Sequence, residues 1–169
     1  MDQAIFQYVN DLAGNNGFLD HFMILLSKWG IYVFIAIILV LAFSKKWRWR
    51  GFRGIGALIL ALIVSRLLKY AVNRDRPFIT DEVNLLFEKT PSPSFPSDQA
   101  VVSGVFAAFL FLAFPKWRWL GMILALVISF SRVYVGHHYP LDVLTGLFLG
   151  ALCMAVVHKL QAPTQTAER

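Results

Sequence analysis

Long apolar runs dominate this chain, and short polar clusters punctuate them. Four segments, roughly 52–71, 97–114, 117–135 and 140–159, are uniformly apolar over the ~20 residues that a bilayer-crossing helix needs. Periodicity inside them is weak, so length decides the assignment to helix. The N-terminal third is less regular. Residues 31–44 are intensely apolar but short, and residues 18–29 interleave Asp20, His21 and Lys28 with apolar positions. Either 20–44 is one long helix or two helices meet near Gly30. Residues 2–13 read as a short amphipathic surface helix. The pattern therefore predicts an all-α polytopic membrane bundle of five or six transmembrane helices, preceded by that short helix.

Composition agrees. The chain is 57% hydrophobic and 15% charged, with mean hydropathy +0.60. A soluble domain carries about 25% charge. At 169 residues the chain forms one domain, with a motif-bearing core over about 52–160 and a flexible polar tail over 161–169. The single cysteine, Cys153, excludes an intrachain disulfide and a cysteine-based metal site. The first residues lack the basic start and apolar core of a signal peptide, so insertion falls to the spans themselves. There is no internal repeat and no low-complexity tract.

A formal charge of +6 raises the question of nucleic acid. The bases, however, sit beside apolar spans and form no soluble basic face. Lys45, Lys46, Arg48, Arg50 and Arg53, then Lys116 and Arg118, then His158 and Lys159 mark three span ends, the first two groups flanked by tryptophan. Lys and Arg collect on the cytoplasmic side and Trp at the interface. With these ends inside, the four clear spans alternate consistently. Three other polar clusters then gather on the outer face: Lys69 to Pro77, Pro96 to Gln99, and Ser131 to Asp142.

Ionisable groups at such positions are expensive unless they act. Lys69 and Arg76 are seven apart, so they share a face if the helix persists; Pro77 disfavours helix at Arg76 and ends the span near there. Two cations aimed at one point suit a phosphate, and Arg offers a fork; snorkelling at the interface is the plainer account of the pair. Pro96 suits the first turn of a helix, which frees the N–H groups of Ser97 and Asp98 for an anion. Ordinary helix initiation explains the same residues. Pro140 opens the last span, with His138 just outside it and Asp142 in its first turn. A carboxylate on Nδ1 of His138 fixes the tautomer and leaves Nε2 free as a nucleophile. Asp142 also fits the ordinary role of an acid at a helix start. His137 points elsewhere in this reading.

Taken in order, Lys69, Arg76 and Pro77, then Pro96-Ser97-Asp98-Gln99, then Ser131, Arg132, His138 and Asp142 resemble the type 2 phosphatidic acid phosphatase (PAP2) superfamily of membrane lipid phosphatases. That family's pattern is K-x6-R-P, P-S-G-H and S-R-x5-H-x3-D. Ser94 to Asp98, with Gly136 to Pro140, look most like the undecaprenyl-diphosphatase branch related to bacitracin resistance. The resemblance implies that His138 attacks phosphorus and becomes a phosphohistidine, and that Asp142 orients it. It implies that Lys69, Arg76, Ser97 and Arg132 hold the phosphoryl oxygens. It implies no metal, no cofactor and no nucleic acid, a polyprenyl or glycerophospholipid phosphate as substrate, and a bacterial cell membrane with the site facing outward.

One departure matters. Gln99 stands where the family has its general-acid histidine. A glutamine has no titratable proton, and such an acid is worth about 10²–10⁴-fold. The loss weighs most when an alkoxide departs. A lipid monophosphate leaves far more readily, with a second pKa of about 6. Gln99 therefore favours a diphosphate over a phosphatidylglycerophosphate or phosphatidate, unless Asp98 or His137 replaces the acid. It also admits a non-catalytic lipid-phosphate binder.

Overall fold

A computed structural model describes residues 1–160; the predicted tail, 161–169, lies outside them. The described chain is all helical. The elements are α1 (Asp2–Asn10), α2 (Gly17–Phe43), α3 (Arg48–Val72), a single turn α4 (Pro77–Thr80), α5 (Asp98–Ala113), a 3-10 turn Pro115–Trp117, α6 (Arg118–Tyr134) and α7 (Pro140–Leu160). The N-terminal alternatives resolve to one 27-residue helix. It does not break at Gly30, because Ile128 of α6 packs where a side chain there would stand.

Three segments are long and apolar enough to cross a membrane: Gly17–Phe43, Arg48–Thr80 and Pro140–Leu160. Large apolar side chains such as Val40, Ile59, Leu67 and Phe148 point outward and are exposed. That inversion of the soluble pattern marks a membrane protein.

Consecutive long helices run in opposite directions, and α5 lies at the centre, packed against α2, α3, α6 and α7. Its Val101, Val105, Phe106 and Phe109 are buried, and Phe106 stacks on Phe34 of α2 at 3.9 Å. Between helices in lipid the hydrophobic effect supplies little, so close packing must hold the bundle. Small residues make it possible. A Cβ on Gly104 would lie 2.1 Å from the Leu147 carbonyl oxygen of α7, and one on Gly150 would lie 2.0 Å from that of Val101. These contacts seat α7 directly on α5 and fix the relative height of their first turns.

Local signals set the ends that matter. Asn16 caps α2, its side-chain oxygen accepting from Phe18 and Leu19 N–H. Asn73 stops α3 in the left-handed region at φ 44°, so the chain reaches Arg76 in extended form rather than on the α3 surface. Gly136, at φ 85°, ends α6. Its turn brings the N–H groups of both His137 and His138 back to the Arg132 carbonyl. Pro140 then opens α7 at its first position. Pro96, by contrast, lies one residue before the Ser97 N-cap rather than inside α5.

The basic groups of the two turns gather at one end of the bundle. Arg50 Nη1 donates to the Ala113 carbonyl at 2.6 Å, and Arg50, Arg53 and His158 line one small cavity there. The three motif clusters lie at the other end. There α1 folds across α6 and α7, burying Phe6 against Tyr139.

Candidate active site

His138 sits in the five-residue turn between α6 and α7 and is 2% exposed. Its Nε2 accepts from Arg76 Nη1 at 3.0 Å. Nδ1 therefore carries the proton of the neutral ring. Nδ1 lies 3.7 Å from Asp142 Oδ2, an ion-pair distance but longer than a hydrogen bond. The expected bond from Asp142 to the imidazole is thus not closed, because that carboxylate is already engaged. Oδ1 accepts from Arg74 Nη1 at 2.8 Å, and Oδ2 from Ser94 Oγ at 2.7 Å and Tyr139 N–H at 3.0 Å. Burial, first, and then the cations Arg132 and Arg76 drive the His138 pKa well below 6.5. The ring is neutral at neutral pH, the state a nucleophile requires.

His137 does point elsewhere. Its Nδ1 accepts from Arg132 Nη2 at 2.9 Å, and its Nε2–H donates to the Phe87 carbonyl at 3.0 Å. Burial and the Arg132 charge hold its pKa at about 3. It is a fixed strut between α6 and the 81–97 loop.

The cations divide into two kinds. Lys69 is neutralised by Asp98 at 2.6 Å, whose other oxygen accepts from Ser65. Arg74 is shared between Asp142 and Asp2 of α1. Arg76 and Arg132, 2% and 1% exposed, bond only neutral acceptors. Arg76 donates to Ser92, Pro93 and His137 carbonyls and to Ser92 Oγ; Arg132 donates to the Ser27 carbonyl and hydroxyl. Among the described residues neither makes an ion pair. A buried charge without a counter-charge is costly, and an anion bound between two such groups removes the cost.

Several motif residues also carry unpartnered polar atoms. Ser97 Oγ, Gln99 Oε1, Arg132 Nε and His138 Nδ1 are all buried without a hydrogen-bond partner. One expectation is corrected here. The Ser97 N–H is not free for an anion, since it donates to the Asp142 carbonyl at 3.1 Å. That bond follows from the α5–α7 contact at Gly146, where a Cβ would lie 2.8 Å from the Ser97 oxygen. It ties the Ser97 turn to the Asp142 turn.

The structure thus brings His138, Asp142, Arg76, Arg132, Ser97 and Gln99 to one end of the bundle, with the Lys69–Asp98 pair beside them. Three residues were not singled out by sequence. Arg74 lies inside the first cluster and Ser94 just before the second, so both were in view without a role. Lys89 lies in the loop with no motif around it. Its charge interacts with those of Arg132, Arg76, Lys69 and Asp98. Among the described residues no group of three His, Cys, Asp or Glu is placed to hold a metal ion.

A buried, neutral histidine beside guanidinium groups that lack carboxylate partners is an arrangement suited to a phosphoryl group. The chain belongs to the PAP2 superfamily, whose profile matches residues 51–165, and it is a phosphatase of that type. It is 38% identical over 145 residues to an undecaprenyl-diphosphatase of Sulfolobus acidocaldarius, covering 84% of this chain and 68% of that one. It is 28% identical to undecaprenyl-diphosphatase BcrC of Bacillus subtilis, covering 93% and 80%. The crystal structure of Aquifex aeolicus LpxE superimposes with a TM-score of 0.82 at 28% identity, over 93% and 94% of the two chains.

Proposed function

We propose that this protein removes the terminal phosphate of a polyprenyl diphosphate through a phosphohistidine on His138. The pair of buried, carboxylate-free guanidinium groups at Arg76 and Arg132, flanking His138, carries the reading. In this mechanism the terminal phosphoryl group enters between them. Arg76 transfers its Nη1 donor from His138 Nε2 to a phosphoryl oxygen, which frees the Nε2 lone pair for in-line attack. Arg132 Nε and Ser97 Oγ, both unpartnered, hold the remaining oxygens. Asp142 draws the Nδ1 proton as positive charge develops on the ring. Lys69 acts through Asp98, setting the start of α5 rather than touching phosphate.

The relatives named as undecaprenyl-diphosphatases support a diphosphate, and so does Gln99. We place the chain in a bacterial cytoplasmic membrane with five spans, α2, α3, α5, α6 and α7. At 16 and 17 residues α5 and α6 are roughly 24–26 Å long, and their flanking turns supply the rest. The basic end then faces the cytoplasm and the site faces outward.

The test is phosphate release by purified protein from undecaprenyl diphosphate, phosphatidylglycerophosphate and phosphatidate, with and without a chelator. The diphosphate is expected to be turned over fastest, with no loss in chelator and none remaining in His138→Ala. Faster turnover of either glycerophospholipid would reassign the substrate. Binding without release would make the chain a phosphate binder.

A further inference from the structure

Asp142 is a fully buried carboxylate with two neighbours able to balance its charge. One is Arg74, whose Nη1 donates to Oδ1 at 2.8 Å. The other is the His138 imidazole, whose Nδ1 lies 3.7 Å from Oδ2. Ser94 Oγ and the Tyr139 N–H hold Oδ2 but bring no charge. Arg74 lies between the motif positions Lys69 and Arg76 and belongs to neither. Its guanidinium is nevertheless fixed. Nη2 donates to Asp2 of α1 at 2.6 Å, and the group lies over the Tyr139 ring at 4.1 Å. The left-handed turn at Asn73 takes the chain off α3 just before it. Arg74 therefore holds one oxygen of Asp142 and leaves the other toward His138.

We propose that Arg74 is a positioning residue for the reaction: by balancing the Asp142 carboxylate it leaves His138 a neutral imidazole, with the Nε2 lone pair intact for phosphorus. The inference rests on the phosphohistidine reading above. A buried carboxylate demands a counter-charge. Without Arg74 the nearest one is an imidazolium, because the ring is intrinsically the more basic member of the pair, about 6.5 against about 3.9. The added proton would sit on Nε2, since Nδ1 already carries one, and would displace the Arg76 donor there. A ring protonated on both nitrogens has no lone pair to give. With Arg74 in place the carboxylate is satisfied at rest, and its Oδ2 still stands beside Nδ1 when the ring becomes positive in the phosphohistidine. The other charged or titratable groups around His138 are Arg76, Arg132 of α6, Lys69 of α3 with its partner Asp98 of α5, Lys89 of the loop and His137. The cations among them oppose protonation of the ring from its open side; Arg74 does so from behind the carboxylate.

The test follows His138 directly. Protein carrying 15N-histidine is titrated in detergent, and the ring shifts that disappear in His138→Ala report its protons. In the wild type the ring should titrate well below 6.5. In Arg74→Gln the midpoint should rise by about 1–3 pH units, and the acid limb of kcat/KM for undecaprenyl diphosphate should rise with it. Arg74→Met, which keeps packing against Tyr139, serves in its place if the glutamine variant does not fold. Arg74→Lys keeps a cation and should hold both close to wild type. Asp142→Asn added to Arg74→Gln removes the charge that needs balancing and should return the midpoint. Asp2→Asn is the control for bracing. It loosens the tie of α1 to Arg74 but leaves the Arg74–Asp142 pair, so the melting temperature should fall while the midpoint does not rise. An unmoved midpoint in Arg74→Gln, or an equal rise in Asp2→Asn, would overturn the proposal and make Arg74 a strut. The titration needs no turnover, so the two readings fail separately: activity surviving in His138→Ala would overturn the phosphohistidine whatever the midpoints.

Discussion

At the scale of residues, the two adjacent histidines have opposite assignments, and mutation separates them. His138→Ala should abolish phosphate release. His137→Ala should keep measurable turnover while loosening Arg132 and the Phe87 end of the loop. Loss confined to the His137 variant would reverse the assignment. His137 also carries a stability signature. Its folded pKa is about 3 against about 6.5 for the free side chain, so between those values the unfolded chain binds a proton that the native one does not. Stability should therefore fall as pH drops below about 6.5, with His138 contributing in the same direction. His137→Gln should flatten the melting temperature against pH over that window without removing the slope. A slope identical to wild type would mean that His137 is not held neutral.

What was legible at this scale follows from chain distance. His138 and Asp142, four apart across a helix start, could be related by spacing alone, and so could Arg132 and His138. Arg74 could not, because its role depends on Asp2 and Asp142, which are far away in sequence. Lys89 was invisible for the same reason. Nothing beside it in the chain is polar and buried, and only the loop's attachment to His137 and Arg76 gives it a place. The pairing of Lys69 with Asp98 was missed because both were read as facing one phosphate rather than each other.

At the scale of elements, the site depends on how deeply α5 and α7 interlock. The long apolar runs specified these helices to within two residues at either end, since a bilayer-length stretch leaves little choice. Their contact was not legible: which glycines meet which carbonyls depends on rotation about the helix axis, and the apolar runs have no polar face to set it. A methyl on Gly150 would strike the Val101 carbonyl, which is backbone and cannot rotate away. Gly150→Ala should therefore destabilise by about 1–3 kcal/mol, as overpacking does. Because the same contact sets Ser97 against Asp142, turnover should fall as well. Thermal unfolding and phosphate release in one detergent check both; an unshifted melting temperature would show that the helices separate without cost. Helix α1 is a second support. Its Asp2 accepts from both Arg74 and the Leu141 N–H at the start of α7, while Asn10 bonds to Asn84 and Tyr134. A helix read as amphipathic and superficial is in fact a brace over the site end.

At the scale of the whole molecule, the proposed orientation rests on charge, and only after the paired charges are set aside. The site end holds five cations, Lys69, Arg74, Arg76, Lys89 and Arg132, against eight Lys and Arg at the other end. Two of the five are neutralised by carboxylates, and Arg76 and Arg132 are buried. Of the five only the half-buried Lys89 is left, whereas the two Trp-flanked turns, Lys45 to Arg53 and Lys116 to Arg118, with Lys159 beside them, carry eight. That asymmetry is the ground for the proposed orientation, with the turns in the cytoplasm. Cysteine labelling tests it. Cys153 is buried in α7 and can be replaced by serine to give a background without thiols. Glu82→Cys then reports the site end and Lys116→Cys the other, both being exposed and outside the catalytic groups. In intact cells a membrane-impermeant maleimide should react at position 82 and reach position 116 only after permeabilisation. The reverse pattern would turn the protein over and place phosphate release inside the cell. Labelling of neither position in intact cells, with both reacting after permeabilisation, would break the proposed topology, because the one span between them, α5, cannot leave positions 82 and 116 on one side.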